Sequence, residues 1–254
     1  MKKFISNKIV LEIVGIMLFV ILWQILSMII GDNTFIFPGP KITFVETIKL
    51  LNSSYIYKCL FQTMLRMIIG FIISFVLAFI FGIIAGNNEK IELIFSPTIS
   101  ILRSLPTATI VYLFLVIAGA RLTPLFIVVL VSFPIIYESV VAGIKNTPKE
   151  YIEAATVDSS SKLDIVLRIK VPLALPYIVV GIASSFALSL KIEIMAEVIT
   201  GYTRLGLGSA ILAAQRSDPT NMVPVFAYSL VAIVVILIFD IVSNIIKNKL
   251  AKSM

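Results

Sequence analysis

Long apolar runs dominate the chain, and short polar segments separate them. A bilayer core of about 30 Å needs about 20 helical residues, because each residue of an α-helix rises about 1.5 Å. Runs of this length predict six transmembrane helices, at about 9–30, 63–85, 98–118, 123–143, 173–199 and 223–246. The pattern therefore predicts an all-α integral membrane protein, with 1–254 as a single membrane domain.

The first apolar run is long enough to be a retained span. A secretory signal peptide has a shorter apolar core followed by a small-residue cleavage site, and no such site occurs before Gly31. We therefore expect the run at 9–30 to remain as the first span. The third run, at 98–118, begins beside Pro97 and contains Pro106, so we expect a kinked helix there.

A polar segment at 147–172 separates the fourth and fifth predicted spans. Thr147 with Glu150 three residues later forms a capping-box pattern, which predicts the start of a short helix. Ser161 with Asp164 repeats the pattern and predicts a second helix. The segment is therefore expected to be a helical hairpin.

The length of this hairpin also favours a defined structure. Connections between helices of a bundle usually need about 2 to 8 residues, and this segment is several times longer. We expect Pro172 and Pro176 to interrupt the second helix, because proline lacks a backbone donor. We interpret the hairpin as a docking element, with a simple connecting loop as the alternative.

Composition narrows the possible chemistry. The chain is 59% hydrophobic and 14% charged, with no histidine and a single cysteine, Cys59. We expect no metal site, no catalytic residues and no internal disulfide, because the usual ligands and general bases are absent. A membrane enzyme such as a lipid transferase would need a convergent cluster of such groups. The sequence therefore favours a protein that is not an enzyme.

The net charge of +7 comes from cations near the ends of apolar runs. This distribution is typical of contacts with anionic membrane lipid, and it lacks the dense basic block expected for nucleic-acid binding. With the N-terminus inside, twelve Lys and Arg residues lie in the inner segments and six in the outer ones. The positive-inside rule therefore predicts a multi-pass protein with both termini in the cytoplasm.

Several charged residues fall within predicted spans, where a charge at the bilayer centre costs about 2.5 to 3.5 kcal/mol. Lys191, Glu193, Glu197 and Arg103 are therefore candidates for a solute pathway or gate, with structural ion pairs as the alternative. Glu193 and Glu197 share a helix face, whereas Lys191 lies about 200° and 240° from them and needs another partner. We expect Arg103 to pair with a carboxylate or lipid phosphate, and Arg66 to anchor the outer interface.

Gly206 and Gly208 follow the fifth predicted span. They indicate a tight turn before the short apolar stretch 209–214. We interpret this region as a re-entrant outer gate, with a plain loop as the alternative.

The stretch EAATVDSSSKLDIVLRIKVP resembles the EAA signature of bacterial ABC-importer permeases. The residues Glu153, Ala154 and Ala155 and the ending at 169–172 fall in register with that signature. Two positions differ, because Ser159 stands where the family has glycine and Val171 where it has leucine. Serine can still form a turn with help from its side chain.

Four further segments, in the same order, are similar to the nitrate/sulfonate/taurine-type branch of these permeases. They are FIFPGP at 35–40, TMLRMIIGF at 63–71, SPTISILRSLPTATI at 96–110 and KIEIMAEVITGYTRLGLG at 191–208. The resemblance implies a permease of the bacterial plasma membrane that forms the pathway for a small anionic or polar solute.

The resemblance also implies partners. Glu153, Ala154, Ala155 and the turn at Ser159 would form a coupling helix that docks on a cytoplasmic ATPase. The expected assembly has two ATPase subunits, a second permease copy that makes a homodimer, and an external solute-binding protein. This chain has no phosphate-binding loop, so we expect it to bind no cofactor, with ATP and Mg²⁺ held by the ATPase partner.

An ion-coupled secondary transporter is the alternative function. Such a protein would be expected to show inverted repeats and acidic residues near the membrane midplane. Neither is clear in the sequence, which favours the ABC-importer interpretation.

Overall fold

A computed structural model describes residues 8–31, 34–157, 161–201 and 205–251. All regular elements within these ranges are helical. They are α1 Lys8–Ile29, α2 Pro40–Leu51, α3 Ser54–Asn87, α4 Glu89–Ser104, α5 Thr107–Lys145, α6 Lys149–Val157, α7 Lys162–Ile165, a π-helical turn Val166–Lys170, α8 Val171–Thr200, α9 Leu207–Ser217 and α10 Val223–Ala251.

Helices α3, α5 and α8 form the centre of the bundle, and α5 packs against both of the others. Small residues let these helices approach closely, as expected in a membrane, where apolar burial alone does not drive helices together. A Cβ atom at Gly82 of α3 would lie 2.8 Å from the Val140 side chain of α5. The hydroxyls of Ser132 on α5 and Ser189 on α8 are 2.7 Å apart and buried.

Five helices in the described ranges are long and apolar enough to cross a membrane, namely Val10–Ile29, Ser54–Asn87, Thr107–Lys145, Lys162–Thr200 and Val223–Lys249. The predicted all-α membrane fold is confirmed, and the count is close to the six predicted spans. The predicted third and fourth spans have different boundaries. The segment 98–118 is divided between α4 and the first part of α5, with the break at Leu105 and Pro106.

The long helix α5 is itself broken at Gly119, where φ is +72° and ψ is 163°. This conformation favours glycine and cannot continue an α-helix. The break separates α5 into two arms, and the second arm contains the predicted span 123–143. Pro97, in contrast, lies inside α4.

The bundle has two distinct ends. The end of α3, the start of α4, the end of α5 and the α6–α7 hairpin lie together, and we call this the hairpin end. The Lys170 ammonium lies 2.7 Å from the Asn87 amide oxygen there, and Lys145 pairs with Glu92 at 2.9 Å. Helices α2 and α9 lie at the opposite end, next to the start of α3 and the end of α8.

The hairpin contains the two predicted helices. Helix α6 begins at Lys149, just after Pro148, while the Thr147 hydroxyl donates to the Gly143 carbonyl of α5 at 3.5 Å. The predicted Ser161 cap is confirmed, because the Asp164 backbone N–H donates to the Ser161 hydroxyl oxygen at 3.1 Å.

The prediction that Pro172 and Pro176 interrupt the second helix was wrong. Helical structure continues from Lys162 to Thr200 through the π-helical turn. The Val171 N–H donates to the Val166 carbonyl, five residues earlier, so the bonding register widens directly before Pro172. A π-helical turn of this kind accommodates a local irregularity without ending the helix.

The close approach of α3 and α5 predicts a matched pair of stability effects. Gly82→Val should lower the unfolding temperature of the detergent-purified protein, because overpacking typically costs about 1 to 3 kcal/mol. Gly15→Val makes the same change in α1, where an added Cβ would meet no atom within 4 Å. Equal shifts for the two variants would contradict the proposed α3–α5 packing.

Candidate functional site

A buried ionic cluster joins α3 to α8 near the end opposite the hairpin. We call it the Arg66 cluster, and it consists of Thr63, Arg66, Glu193 and Glu197 together with the backbone of 205–208. The Arg66 Nε donates to Glu193 Oε1 at 3.2 Å, and its Nη2 donates to Glu197 Oε1. The Thr63 hydroxyl lies 2.9 Å from both Glu197 carboxylate oxygens.

Helix geometry explains why these four side chains meet. Thr63 and Arg66 are three residues apart on α3, and Glu193 and Glu197 are four apart on α8. Such spacings place each pair on one face of its helix. Because α3 and α8 pack together, the two polar faces meet between these helices.

The cluster also holds the start of α9. The Gly208 N–H donates to Glu197 Oε2 at 2.8 Å, and the Leu207 N–H donates to the Thr63 hydroxyl at 2.8 Å. The first N–H groups of a helix have no partner within the helix, and a carboxylate is stabilised by the helix dipole at this position. Arg66 Nη2 also donates to the Leu205 carbonyl at 2.9 Å. The cluster thus joins α3, α8 and α9.

Gly206 and Gly208 permit this close approach. A Cβ atom at Gly206 would lie 2.6 Å from Arg66 Nη2 and 2.7 Å from the Glu197 carboxylate oxygens. A Cβ at Gly208 would lie 2.7 Å from the Glu197 Cβ. The backbone at Gly206 does not require glycine, because its φ of 168° is accessible to any residue. Gly206 and Gly208 are therefore needed because a side chain at either position would collide with the cluster.

The buried charges of the cluster favour a rigid connection between α3 and α8. Glu193 and Glu197 are fully buried, and the Arg66 side chain is 17% exposed. Removing one partner from such a buried pair leaves an uncompensated charge, which is strongly destabilising. Glu193 Oε2 is buried without a hydrogen-bond partner in the ranges that the structure describes.

The prediction that Arg66 anchors the outer interface was wrong. Its guanidinium group lies against two buried carboxylates, because pairing compensates their desolvation better than a position in the headgroup region would. The sequence contained a signal from which the pairing of Arg66 with these carboxylates could have been predicted. Arg66 is a cation inside a long apolar helix, and Glu193 and Glu197 are acids on one face of another.

The other charged candidates occupy separate positions. Lys191 pairs with Asp240 of α10 at 2.8 Å, which confirms that its partner is neither Glu193 nor Glu197. Arg103 pairs with Glu138 of α5 at 2.5 Å, as expected for a carboxylate partner. A role for any of these charges in the solute pathway stays a prediction.

The predicted coupling residues lie on α6. Glu153 and Ala154 are exposed, whereas Ala155 is buried. Ser159, the residue at the predicted turn, lies outside the described residues. The hairpin therefore presents one charged and one small side chain from the predicted signature at its surface.

The fold defines a multi-pass membrane protein with a structured polar hairpin at one end. Residues 78–252 match the family described as the binding-protein-dependent transport system inner membrane component, and the chain belongs to this family. The matched range contains the hairpin, the α8 carboxylates and the start of α9.

Relatives come from the predicted branch. The chain is 26% identical over 233 residues to the putative aliphatic sulfonates transport permease protein SsuC of Bacillus subtilis, covering 91% of this chain and 83% of that protein. It is 26% identical over 222 residues to the bicarbonate transport system permease protein CmpB of Synechococcus elongatus, covering 83% and 78%. It is 29% identical over 146 residues to the nitrate import permease protein NrtB of Leptolyngbya laminosa, covering 56% and 50%.

Solved structures confirm the fold. A chain of the inward-facing MetNI methionine ABC transporter matches with a TM-score of 0.64 and 16% identity, covering 77% of this chain and 96% of that one. A chain of an amino acid ABC transporter matches with a TM-score of 0.64 and 19% identity, covering 81% and 98%.

The Arg66 cluster and the Lys191–Asp240 pair predict different stability effects. Arg66→Met should destabilise the protein strongly, because breaking a buried pair typically costs about 3 to 5 kcal/mol. Lys191→Met should have a smaller effect, since the Lys191 and Asp240 side chains are 45% and 33% exposed at the surface of the bundle, whereas both carboxylates of the Arg66 cluster are fully buried. Unfolding temperatures in detergent measure both. Similar losses would contradict the structural role of the cluster.

Proposed function

We propose that this chain forms the solute pathway of an ATP-binding cassette importer as its permease subunit. In the proposed assembly two copies pair in the bacterial plasma membrane, two ATPase subunits bind the hairpins, and an external binding protein delivers the solute. The observation that carries the proposal is the hairpin itself, which is capped, tied to the bundle and lies within the matched family range.

The hairpin is suited to receive motion from a partner. Glu153 and Ala154 are exposed on α6, so an ATPase surface can contact a carboxylate beside a small side chain that permits close approach. Ala155 faces inward and is 8% exposed. We propose these residues, with the turn at Ser159, as the docking surface.

Helical continuity supplies a route from the hairpin to the opposite end. The helical segment Lys162–Thr200 has 39 residues, which corresponds to about 58 Å at 1.5 Å per residue. One end of this segment lies in the hairpin, and Glu193 and Glu197 lie near the other. A displacement of the hairpin would therefore move the Arg66 cluster and α9, in a hinge or rocking transition.

The proposed orientation of the chain in the membrane follows from the distribution of basic residues. The hairpin end faces the cytoplasm, together with both termini, and α2 and α9 face outward. Helix α9 is then in a position to act as an outer gate beside the binding protein.

ATP hydrolysis belongs to the partner in this proposal. The sequence has no phosphate-binding loop, so ATP and Mg²⁺ would be held by the ATPase subunits and this chain would bind neither. The solute is a small polar or anionic molecule, a class supported by the sulfonate, bicarbonate and nitrate named for the relatives.

Charge reversal on the hairpin tests the coupling role. Glu153→Lys should leave the permease inserted and folded but abolish ATP hydrolysis stimulated by the loaded binding protein in proteoliposomes. The expected cause is an unfavourable charge at the ATPase contact. Glu89→Lys is the matched control, because Glu89 is also exposed at the hairpin end but lies on α4.

Normal stimulation in Glu153→Lys would contradict the docking surface. Uptake that continues without the ATPase, driven by an ion gradient, would instead support an ion-coupled transporter.

A further inference from the structure

An apolar groove lies between the last turns of α3 and the start of the helical segment Lys162–Thr200. We call it the α3–hairpin groove, and its volume is about 570 Å³. Its α3 wall includes Ile80, Ile83 and Ile84, and its other wall includes Leu163, Val166 and Leu167. The groove therefore joins a membrane helix to the helix that leaves the hairpin.

The groove lies where two of the apolar helices end. The candidate span Ser54–Asn87 ends, and the candidate span Lys162–Thr200 begins, at residues that line it. Leu163 and Leu167 are 68% and 53% exposed. Apolar side chains at the end of a membrane helix meet acyl chains close to the lipid head groups. The groove is therefore open to lipid at the level where the head groups begin.

The charged groups at the groove are basic. Lys162 lines the groove, and no acidic residue does so in the ranges that the structure describes. Lys170 lies at its margin, where its ammonium is 2.7 Å from the amide oxygen of Asn87, another lining residue. An amide is neutral, so it leaves the Lys170 charge uncompensated. The acidic residue between these two lysines, Asp164, is paired with Arg168 at 3.4 Å.

We propose that the α3–hairpin groove binds one anionic phospholipid, with an acyl chain along the groove and the phosphate beside Lys162 and the Asn87–Lys170 pair. Acyl chains of all phospholipids fit the apolar walls equally well, so selectivity comes from the head group and the two lysines. The lining residues belong to membrane spans, which favours lipid over a cytoplasmic protein as the occupant. Only the assignment to the cytoplasmic leaflet rests on the proposed function.

Native mass spectrometry of the full chain in detergent tests the head-group selectivity. The probes are phosphatidylglycerol and phosphatidylcholine with identical acyl chains. We expect the first bound phosphatidylglycerol to be held several-fold more tightly, and Lys162→Gln to reduce its affinity by roughly fivefold. Lys58→Gln is the matched control, because it removes an exposed lysine at the other end of α3. Equal binding of the two lipids, or equal losses in the two variants, overturns the proposal.

A second pair of variants tests whether the acyl chain occupies the groove. Val166→Trp adds bulk to the groove wall and should abolish retention of the first phosphatidylglycerol. Leu175→Trp adds the same bulk at an exposed position of α8 outside the groove and should leave retention unchanged. Unfolding temperatures show that both variants are folded. Unchanged retention in folded Val166→Trp overturns the assignment to this groove.

Photocrosslinking distinguishes lipid from a protein occupant. A photoreactive side chain at Leu163, in the permease–ATPase complex in membranes, should crosslink to phospholipid. Crosslinking to the ATPase instead overturns the proposal. Lipid binding is measured on the permease chain without ATP, so its failure leaves the Glu153 result standing, and loss of the coupling role leaves the lipid preference measurable.

Discussion

The pairing of buried carboxylates with one guanidinium group is the constraint on which the end of this protein opposite the hairpin depends. Glu193 and Glu197 are fully buried, and neither lipid nor packed apolar side chains can solvate them. Arg66 supplies the charge, while the Thr63 hydroxyl and the Gly208 amide supply further donors. The rotational positions of α3 and α8 and the start of α9 are all restricted by this one set of bonds.

Helix α8 and the π-helical turn before it connect this cluster to the hairpin end of the molecule. The helical segment that begins in the hairpin continues through the π-helical turn to the residues of the cluster. A rigid helix transmits displacement better than a loop, and the buried cluster resists local separation of α3, α8 and α9. The arrangement therefore supports a concerted response of α9 to a displacement of the hairpin, as the proposed alternating access requires.

Local features of this fold could be predicted from the sequence. Apolar run length identified the membrane helices, and the Ser161–Asp164 pattern identified a cap that the structure contains. Helical periodicity alone separated Lys191 from Glu193 and Glu197, and Lys191 indeed pairs with Asp240. Each of these inferences depends on residues within a few turns of one another.

Features that depend on packing between distant segments were not predictable in the same way. The pairing of Arg66 with Glu197 spans 131 positions and depends on how α3 and α8 are rotated against each other. The break at Gly119 depends on a positive φ that an apolar sequence does not reveal. The close packing of Gly206 against Arg66 and Glu197 became evident only when the three groups were seen together.

Hydrogen exchange at the start of α9 tests the central claim most directly. The Leu207 and Gly208 amides belong to the first turn of a helix, where N–H groups have no partner within the helix. If the Arg66 cluster holds them, they are protected in the intact protein and exchange at least roughly tenfold faster in Arg66→Met, as expected when local opening becomes easier. Rapid exchange in both proteins would contradict the account.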